Sequence, residues 1–341
     1  MINLRSDNES KVFPEIIEYL NEINEFKSKA YGEDEITIKA KKLLNEFFEK
    51  KVDVFFLSTG TATNAISLSS LSPSFGGILS SDIAHINLDE CGAPEFFSGG
   101  AKLLPIKTED GLISPVSLEK KLSKMGYHGI HEILPSTLSI TQISELGTAY
   151  SLDQIKDISK ISHKNNLKIH MDGARFANAC AHLNCSPAET TWKSGIDILS
   201  LGATKNGAMS CELVIVFNRE LSLNIDRRQK RAGHLLSKQK FIAAQIIKWI
   251  EKNRWLKAAK KANNNTKDIA KIFKKTKVNN LHPIEGNMIF IEIEKKLENK
   301  LKKYIEFYNW PANKNTIRLV IPWNIENKDV NFIKNTFPSL I

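Results

Sequence analysis

The stretch from Ile196 to Ala208 constrains the fold most, because it joins an apolar run to a tight turn that carries one lysine. Residues 196–201 are mostly β-branched or aliphatic, which predicts a buried strand. Gly202 and Gly207 allow the backbone to bend closely around Lys205. Open α/β sheets hold ligands at the carboxyl ends of their strands, so Lys205 is predicted at a ligand site. A surface-loop lysine is the alternative.

A second strand pattern, residues 167–173, ends at Asp172 and leads into an alanine-rich helix. If the two strands are parallel neighbours, a carboxylate and an amine face one crevice. Pyridoxal phosphate requires this pair, because a carboxylate keeps its ring nitrogen protonated and a lysine holds its aldehyde. An amine at a dry strand end beside Thr204 has a lowered pKa and can attack an aldehyde. We therefore expect Lys205 to form the Schiff base and Asp172 to contact the ring.

A third strand pattern, residues 54–57, is followed by Ser58, Thr59, Gly60 and Thr61 at the start of an alanine-rich helix. Small residues let the first-turn amides approach an anion, and the helix dipole favours negative charge there. Ser58, Gly60 and Thr61 are therefore predicted to bind the cofactor phosphate. An ordinary helix cap is the alternative, since serine and threonine are good caps.

These motifs, taken together and in this order, resemble those of the bacterial low-specificity L-threonine aldolases over nearly the whole chain. The matching segments are residues 4–8, 31–32, 58–61, 85, 170–179, 202–208, 231–235 and 317–320. The resemblance implies an α/β fold of the aspartate-aminotransferase-like type, also called pyridoxal-phosphate fold type I. That fold has a large, mainly parallel-sheet domain and a small α+β C-terminal domain.

The domain boundaries are predicted from the same combination of pattern and resemblance. Residues 1–14 are interpreted as an irregular N-terminal arm that reaches the active site. Residues 15–252 form the large cofactor-binding domain, and residues 253–341 form the small domain. A long helical pattern from 241 to about 275 is expected to link the two, with the boundary near Asn253.

The resemblance also assigns roles to single residues. It implies that His85 stacks on the cofactor ring and acts in catalysis together with Lys205 and Asp172, and that Arg175 and Thr204 help to bind the cofactor. Isolated histidines are more often core residues, and a lone loop tyrosine such as Tyr31 more often packs. Residues predicted to bind the substrate are Ser6, Tyr31, Gln142, Arg175 and Arg318.

Arg318 is surrounded by aliphatic residues, so its guanidinium needs an anion. A substrate carboxylate is one such anion, and a buried structural ion pair is the alternative. Some members of the resembling family carry a substrate-side histidine near position 141, where this chain has Thr141 and Gln142. That departure leaves the base for the β-hydroxyl proton unassigned.

Composition excludes other classes of function. The net charge is +10, but the excess is lysine spread along amphipathic stretches, and no segment interleaves arginine with aromatic residues as nucleic-acid binders do. No apolar run approaches membrane-spanning length. The four cysteines have no Cys-x-x-Cys spacing, which argues against disulfides and a zinc site. We expect a cytoplasmic protein with no metal, no nucleic-acid partner and no membrane partner.

The resulting hypothesis is a lyase that cleaves L-threonine or L-allo-threonine to glycine and acetaldehyde. Another pyridoxal enzyme of the same fold, either a β-eliminating lyase or an aminotransferase, is the first alternative. A cofactor-binding protein without catalysis is the second. The resemblance further implies a homotetramer, or at least a homodimer, whose active site is completed by a neighbouring subunit.

Overall fold

The computed structural model describes residues 1–275, 278–310 and 315–340. Strands and helices alternate along most of the chain, as the sequence predicts. In chain order the elements are β1 (Ile2–Asn3), α1 (Pro14–Asn24), α2 (Glu35–Phe47), β2 (Asp53–Leu57), α3 (Gly60–Leu71), β3 (Gly76–Ser81), α4 (His85–Leu88), α5 (Ala93–Ser98), β4 (Lys102–Ile106), α6 (Pro115–Leu122), β5 (Leu134–Thr141), α7 (Leu152–Lys164), β6 (Lys168–Gly173), α8 (Phe176–Leu183), β7 (Ile198–Gly202), β8 (Glu212–Val216), α9 (Ile225–Arg231), α10 (Lys240–Ile250), α11 (Arg254–Lys275), β9 (Met288–Glu292), α12 (Lys295–Leu301), β10 (Ile305–Glu306), β11 (Tyr308–Asn309), β12 (Thr316–Val320) and α13 (Asn327–Leu340).

A seven-stranded sheet in the order β2-β8-β7-β6-β5-β3-β4 forms the centre of the large domain. Neighbouring strands are parallel except at β8, which runs antiparallel to β2 and β7. Strands β3, β7 and β8 are buried along their whole length, as expected for a sheet covered on both faces. Strands β6 and β7 are parallel neighbours with Asp172 opposite Ser200. Both strands therefore end at the same edge of the sheet.

Strand β5 differs from its prediction. The sequence predicts a strand at residues 132–134 and a loop at residues 139–142, whereas the observed strand covers Leu134–Thr141. This strand contains several polar residues, so it lacks the apolar run that predicts a buried strand. Its hydroxyl groups are tolerated inside the protein because they form hydrogen bonds with neighbouring elements. Thr137 Oγ1 lies 2.8 Å from Ser72 Oγ, and Ser139 Oγ lies 2.9 Å from His170 Nδ1.

The single long helix predicted from 241 to about 275 is two helices, α10 and α11. The backbone between them is left-handed at Lys252 (φ 57°) and Asn253 (φ 54°), which interrupts the helix. Arg254 stabilises the break, because its Nη1 donates to the carbonyls of Lys248 (2.9 Å) and Glu251 (3.0 Å). The predicted domain boundary near Asn253 coincides with this break and remains a prediction.

The small domain contains an antiparallel sheet in the order β11-β12-β9, against which parts of α11 and α13 pack. Residues 1–14 are not an irregular arm throughout, because Ile2 and Asn3 form β1 and pair in parallel with β10. Leu4 is fully buried in the core of the small domain. A two-residue strand whose partner lies 303 positions away leaves no local pattern, so the sequence could not reveal it.

In the described part of the chain, no helix is both long and apolar enough to cross a bilayer. All four cysteines are free thiols.

Candidate active site

The carboxyl ends of β6 and β7 open into one cavity that brings together six of the predicted site residues. Asp172 comes from the end of β6, and Lys205 from the short 3-10 turn Thr204–Asn206 that follows β7. Gly207 (φ 99°) ends this turn, and a Cβ there would meet the Phe13 ring at 2.5 Å. The predicted residues that line the cavity are Gly60, Thr61, His85, Asp172, Arg175 and Lys205.

The environment of Lys205 favours its neutral amine. Burial, followed by the positive charge of Arg175, lowers the pKa of Lys205. Three carboxylates oppose this shift, namely Asp7, Asp172 and Glu212. The net direction is downward, which is what a lysine needs in order to act as a nucleophile near neutral pH.

The Asp172 carboxylate is held in place by two donors. Its Oδ2 accepts a hydrogen bond from Asn64 Nδ2 at 2.9 Å, and its Oδ1 accepts from the Ala174 backbone at 2.9 Å. Asn64 lies on α3, so the helix behind the cavity fixes the carboxylate on β6. Asp172 is thus oriented before any ligand arrives.

His85 begins α4 and is positioned by Glu90. Its Nδ1 lies 2.9 Å from Glu90 Oε1, and the same oxygen accepts from Asn64 Nδ2 at 2.7 Å. The hydrogen bond to Glu90 raises the pKa of His85. The His85 side chain is 41% exposed, so the imidazole remains accessible on the cavity side of this network.

The predicted phosphate site lies at the N-terminus of α3. Thr59 is the N-cap and accepts a hydrogen bond from the Ala62 amide at 3.2 Å. Gly60 and Thr61 follow and line the cavity, where the unpaired amides of a first helical turn attract anions. Ser58 lies beside them and contacts His234 Nδ1 at 3.2 Å.

Thr204 supports the turn that carries Lys205. Its Oγ1 accepts from the Cys211 amide at 3.2 Å, and its own amide points to Glu212 Oε1 at 3.4 Å. Thr204 is not among the residues that line the cavity. Ser58 and Thr204 are therefore close in sequence to lining residues but do not themselves line the cavity.

Arg175 does not point an unpaired guanidinium into the cavity. Its Nε and Nη2 donate to the two oxygens of Asp7 at 2.8 and 2.9 Å. Asn287 also donates to Asp7 Oδ2, at 3.0 Å. Burial opposes ionisation of Asp7, but Arg175 and its neighbours hold the pKa of this carboxyl below its ordinary value.

Arg318 on β12 has aromatic neighbours and no acidic partner. Its guanidinium carbon lies 5.7 Å from the Tyr308 ring centroid and 5.5 Å from that of Trp310. Its Nε is buried without a hydrogen-bond partner, and no carboxylate among the described residues forms an ion pair with it. The alternative of a structural ion pair thus finds no partner there, and Arg318 retains unused donors.

Three predicted substrate residues are placed elsewhere. Ser6 Oγ accepts from the Asn8 amide at 3.2 Å and caps a short 3-10 helix. The Tyr31 side chain is 52% exposed, with Lys230 Nζ 5.1 Å from its ring centroid. Gln142 is fully buried, and both ends of its amide bind the Tyr150 backbone at 2.9 Å. None of the three lines the cavity, and Arg318 is not among the lining residues either.

The sequence analysis missed several polar residues at the site. Asp7 lies in a segment that matched the family, but Ser6 was selected there. Asn64 lies inside α3, and Glu212 is the first residue of β8. No local sequence signal distinguishes these residues. The missed residues are Asp7, Asn64, Glu90, Glu145 and Glu212.

A metal site is not part of this cavity. Among residues 1–275, 278–310 and 315–340, no group of three His, Cys, Asp or Glu side chains is placed to hold a metal ion. The charged groups that line the cavity are instead one lysine, one arginine, one histidine and three carboxylates. Such a set can hold an organic anion and transfer protons.

The chain is similar to known enzymes over most of its length. The family model for the β-eliminating lyases matches residues 3–296. A low-specificity L-threonine aldolase of Pseudomonas sp. is 39% identical over 327 residues, which are 95% of this chain and 94% of that protein. The enzyme of the same name from Pseudomonas aeruginosa is 40% identical over 289 residues, 84% of this chain and 83% of that protein.

Solved structures resemble the whole chain. The Leishmania major threonine aldolase has a TM-score of 0.93 at 24% identity, and the match covers 100% of both chains. An archaeal alanine:glyoxylate aminotransferase has a TM-score of 0.71 at 16% identity, covering 100% of this chain and 90% of that one. These likenesses confirm the predicted α/β fold class.

Proposed function

Because this chain belongs to the β-eliminating lyase family, we propose that it is a pyridoxal-phosphate enzyme that cleaves L-threonine or L-allo-threonine to glycine and acetaldehyde. The observation that carries the proposal is the meeting of Lys205 and Asp172 in one cavity at the ends of two parallel strands. The names of the Pseudomonas relatives support the choice of substrate.

The residues present fit pyridoxal phosphate. When bound, this cofactor supplies an aldehyde that reacts with amines and a protonated ring that accepts electrons. Lys205 offers an amine whose pKa is lowered by burial. Asp172 offers a carboxylate that Asn64 and Ala174 already orient. The N-terminus of α3, at Gly60 and Thr61, offers amides for the phosphate.

The remaining residues would bind and orient the substrate. Arg318 has unused donors for an α-carboxylate, and its two aromatic neighbours restrict its movement. Arg175 is paired with Asp7, so we assign it a supporting role in which it lowers the pKa of Lys205. His85, held by Glu90, would pack against the cofactor ring. Fixing the carboxylate selects which bond at Cα breaks.

The proposal is tested by adding the cofactor to purified protein and supplying L-threonine or L-allo-threonine. We expect acetaldehyde and glycine in equal amounts, with acetaldehyde measured by a coupled dehydrogenase. Pyruvate and ammonia would instead indicate β-elimination, and a keto acid formed from an added amino acceptor would indicate transamination. Cofactor binding without any product would indicate a non-catalytic protein.

A homotetramer, or at least a homodimer that completes the active site, remains part of the proposal. Tyr31 supports it, because it lies exposed at the protein surface although the family resemblance places it near the cofactor. His234 belongs to the segment 231–235, which the family resemblance implies lies at a subunit interface, and it contacts Ser58 close to the N-terminus of α3. Light scattering on the eluting protein measures the assembly directly. The four free thiols fit the proposed cytoplasmic location.

A further inference from the structure

Glu145 lies shortly after β5 and lines the cavity together with Lys205 and Asp172. Its Oε1 accepts a hydrogen bond from the His85 backbone at 2.8 Å and one from Thr141 Oγ1 at 3.1 Å. Its Oε2 is shielded from solvent and has no hydrogen-bond partner among the described residues. One oxygen therefore anchors the carboxylate, and the other is left with unused acceptor capacity.

An unpaired buried acceptor carries a free-energy cost, because it has lost its hydrogen bonds to water. Burial raises the pKa of Glu145 to about 7, although the hydrogen bond from the His85 backbone opposes the shift. The charged or titratable groups that line the same cavity are His85, Glu90, Asp172, Arg175 and Lys205. The Glu145 carboxyl thus ionises near neutral pH, the range in which a general base is most effective.

Other carboxylates near the cavity have structural roles or are covered. Glu90 Oε1 binds both His85 and Asn64. Glu90 Oε2 also has no partner among the described residues, but the Glu90 side chain is fully covered, whereas Glu145 is partly exposed. Asp7 is paired with Arg175. Glu212 contacts Thr204 and is not among the lining residues.

Gln142 and the histidines near the cavity are also engaged in other hydrogen bonds. Gln142 is locked to Tyr150, and His170 is fully buried between Ser139 and Ser200. His85 is the one histidine among the lining residues, and its Nδ1 is occupied by Glu90. Outside the Lys205, Asp172 and His85 set, Glu145 is therefore the partly exposed lining acid with an uncommitted oxygen.

We propose that Glu145 is the catalytic base that removes the proton from the β-hydroxyl group of the substrate, an inference that rests on the proposed function. The proton passes from the hydroxyl oxygen to Glu145 Oε2, and the O–H electron pair forms the carbonyl of the aldehyde. The Cα–Cβ bond breaks, and its electron pair stays with the glycine fragment. Cα then takes up one proton from solvent, and Glu145 returns its proton to water.

The test compares two reactions in the same variant. Glu145→Gln keeps an oxygen for the His85 amide but cannot accept the proton. We expect kcat for threonine cleavage to fall by about 10²- to 10⁴-fold. Exchange of the glycine α-hydrogen in deuterated water requires the cofactor but no β-hydroxyl base, so it should stay close to the wild-type rate. The exposed Glu119→Gln variant on α6 is the matched control and should behave as wild type.

The pH profile provides a second measurement. Cleavage by the wild-type enzyme should rise with pH through about 7, as the Glu145 carboxyl ionises. That limb should be absent from the residual activity of Glu145→Gln. If Glu145→Gln does not fold, Glu145→Asp replaces it. The shorter carboxylate should impair cleavage much more than glycine exchange while keeping the pH limb.

Three results would overturn the inference. Wild-type cleavage by Glu145→Gln would show that another group takes the proton. Equal losses of cleavage and glycine exchange, in Glu145→Gln or in Glu145→Asp, would show a structural role. An unchanged pH limb in Glu145→Gln would assign that ionisation to a different residue. A wild-type protein that releases no aldehyde from any β-hydroxy amino acid would instead overturn the proposed function, and the inference with it.

Discussion

Asp7 and Arg175 form a two-pronged buried ion pair across 168 positions of sequence, with N–O distances of 2.8 and 2.9 Å. The pair joins the N-terminal segment to the residue that precedes α8. Asn287 extends it towards the small domain. Three separate parts of the chain thus meet at one carboxylate beside Lys205.

Replacing Asp7 with Asn should destabilise the protein, because Arg175 would remain buried without its counter-ion. Loss of one partner of a buried pair typically costs about 3–5 kcal/mol in the free energy of unfolding, which urea denaturation measures. Asp153→Asn is the control, because the Asp153–Lys156 pair is solvent-exposed and should contribute less than about 1 kcal/mol. Similar losses in the two variants would contradict the assigned role of Asp7.

Replacing Lys205 with Ala should abolish the absorbance of the lysine-bound cofactor and all turnover. The physical reason is that Lys205 is the one lysine lining the cavity among the described residues. Spectra of the purified variant with added pyridoxal phosphate provide the measurement. The exposed Lys257→Ala variant should keep both spectrum and activity. An unchanged spectrum in the Lys205 variant would mean that a different lysine holds the aldehyde.

Replacing Glu90 with Gln should move the titration of His85 to lower pH. The Glu90 hydrogen bond raises the pKa of His85, so its loss removes the main stabilisation of the imidazolium. Nuclear magnetic resonance of the imidazole signals across a pH series of the cofactor-free protein measures the change. Glu132→Gln, next to His128 on the surface, is the control and should leave the His85 curve in place. A His85 titration that stays fixed in the Glu90 variant would refute the coupling.

Replacing Arg318 with Gln should weaken binding of threonine while leaving the cofactor spectrum unchanged. A charge-assisted hydrogen bond contributes about 1.5–3 kcal/mol, so KM should rise by about 10- to 150-fold. Steady-state kinetics with threonine measures this effect. Arg219→Gln, which breaks a half-exposed contact with Asp53, should leave KM unaffected. A change in kcat alone would contradict a role in binding the carboxylate.

The stability of the folded protein should depend on pH through the ionisation of Glu212. Burial raises the pKa of Glu212 from 4.5 to about 7, so the folded state holds this proton more tightly than the unfolded state. Its stabilising contribution is complete below about pH 4.5 and disappears as the pH rises through about 7.

At pH 8, Glu212→Gln should therefore be more resistant to urea than the wild type, with a free energy of unfolding higher by up to about 3 kcal/mol. At pH 5 the difference should be small. Equal differences at the two pH values would argue against a raised pKa. Glu119→Gln again serves as the exposed control.

The central features of the site could be predicted because they depend on local pattern. Strand-like runs that end at Asp172 and before Lys205 place each residue at the end of a strand, and the parallel pairing of β6 with β7 then brings both to one sheet edge. Thr59 as a helix cap follows from the same local chemistry. Predictions of this kind need only the periodicity of a few residues.

Features that depend on distant partners could not be predicted. The Asp7–Arg175 pair and the commitment of Gln142 to Tyr150 arise from tertiary packing. Strand β5 was not predicted because polar residues interrupt its apolar pattern. Their hydroxyl groups form hydrogen bonds with residues on other elements. Glu145 has no distinctive sequence pattern around it, and only the fold brings its carboxylate to the His85 backbone amide.

The pairing of β1 with β10 has a consequence for the order of synthesis. Ile2 and Asn3 can find their partners only after residues 305 and 306 have been made. The Leu4 carbonyl likewise accepts from the Val320 amide, at 2.8 Å, which is made later still. During synthesis this apolar segment must therefore remain unpaired while some 300 residues follow it.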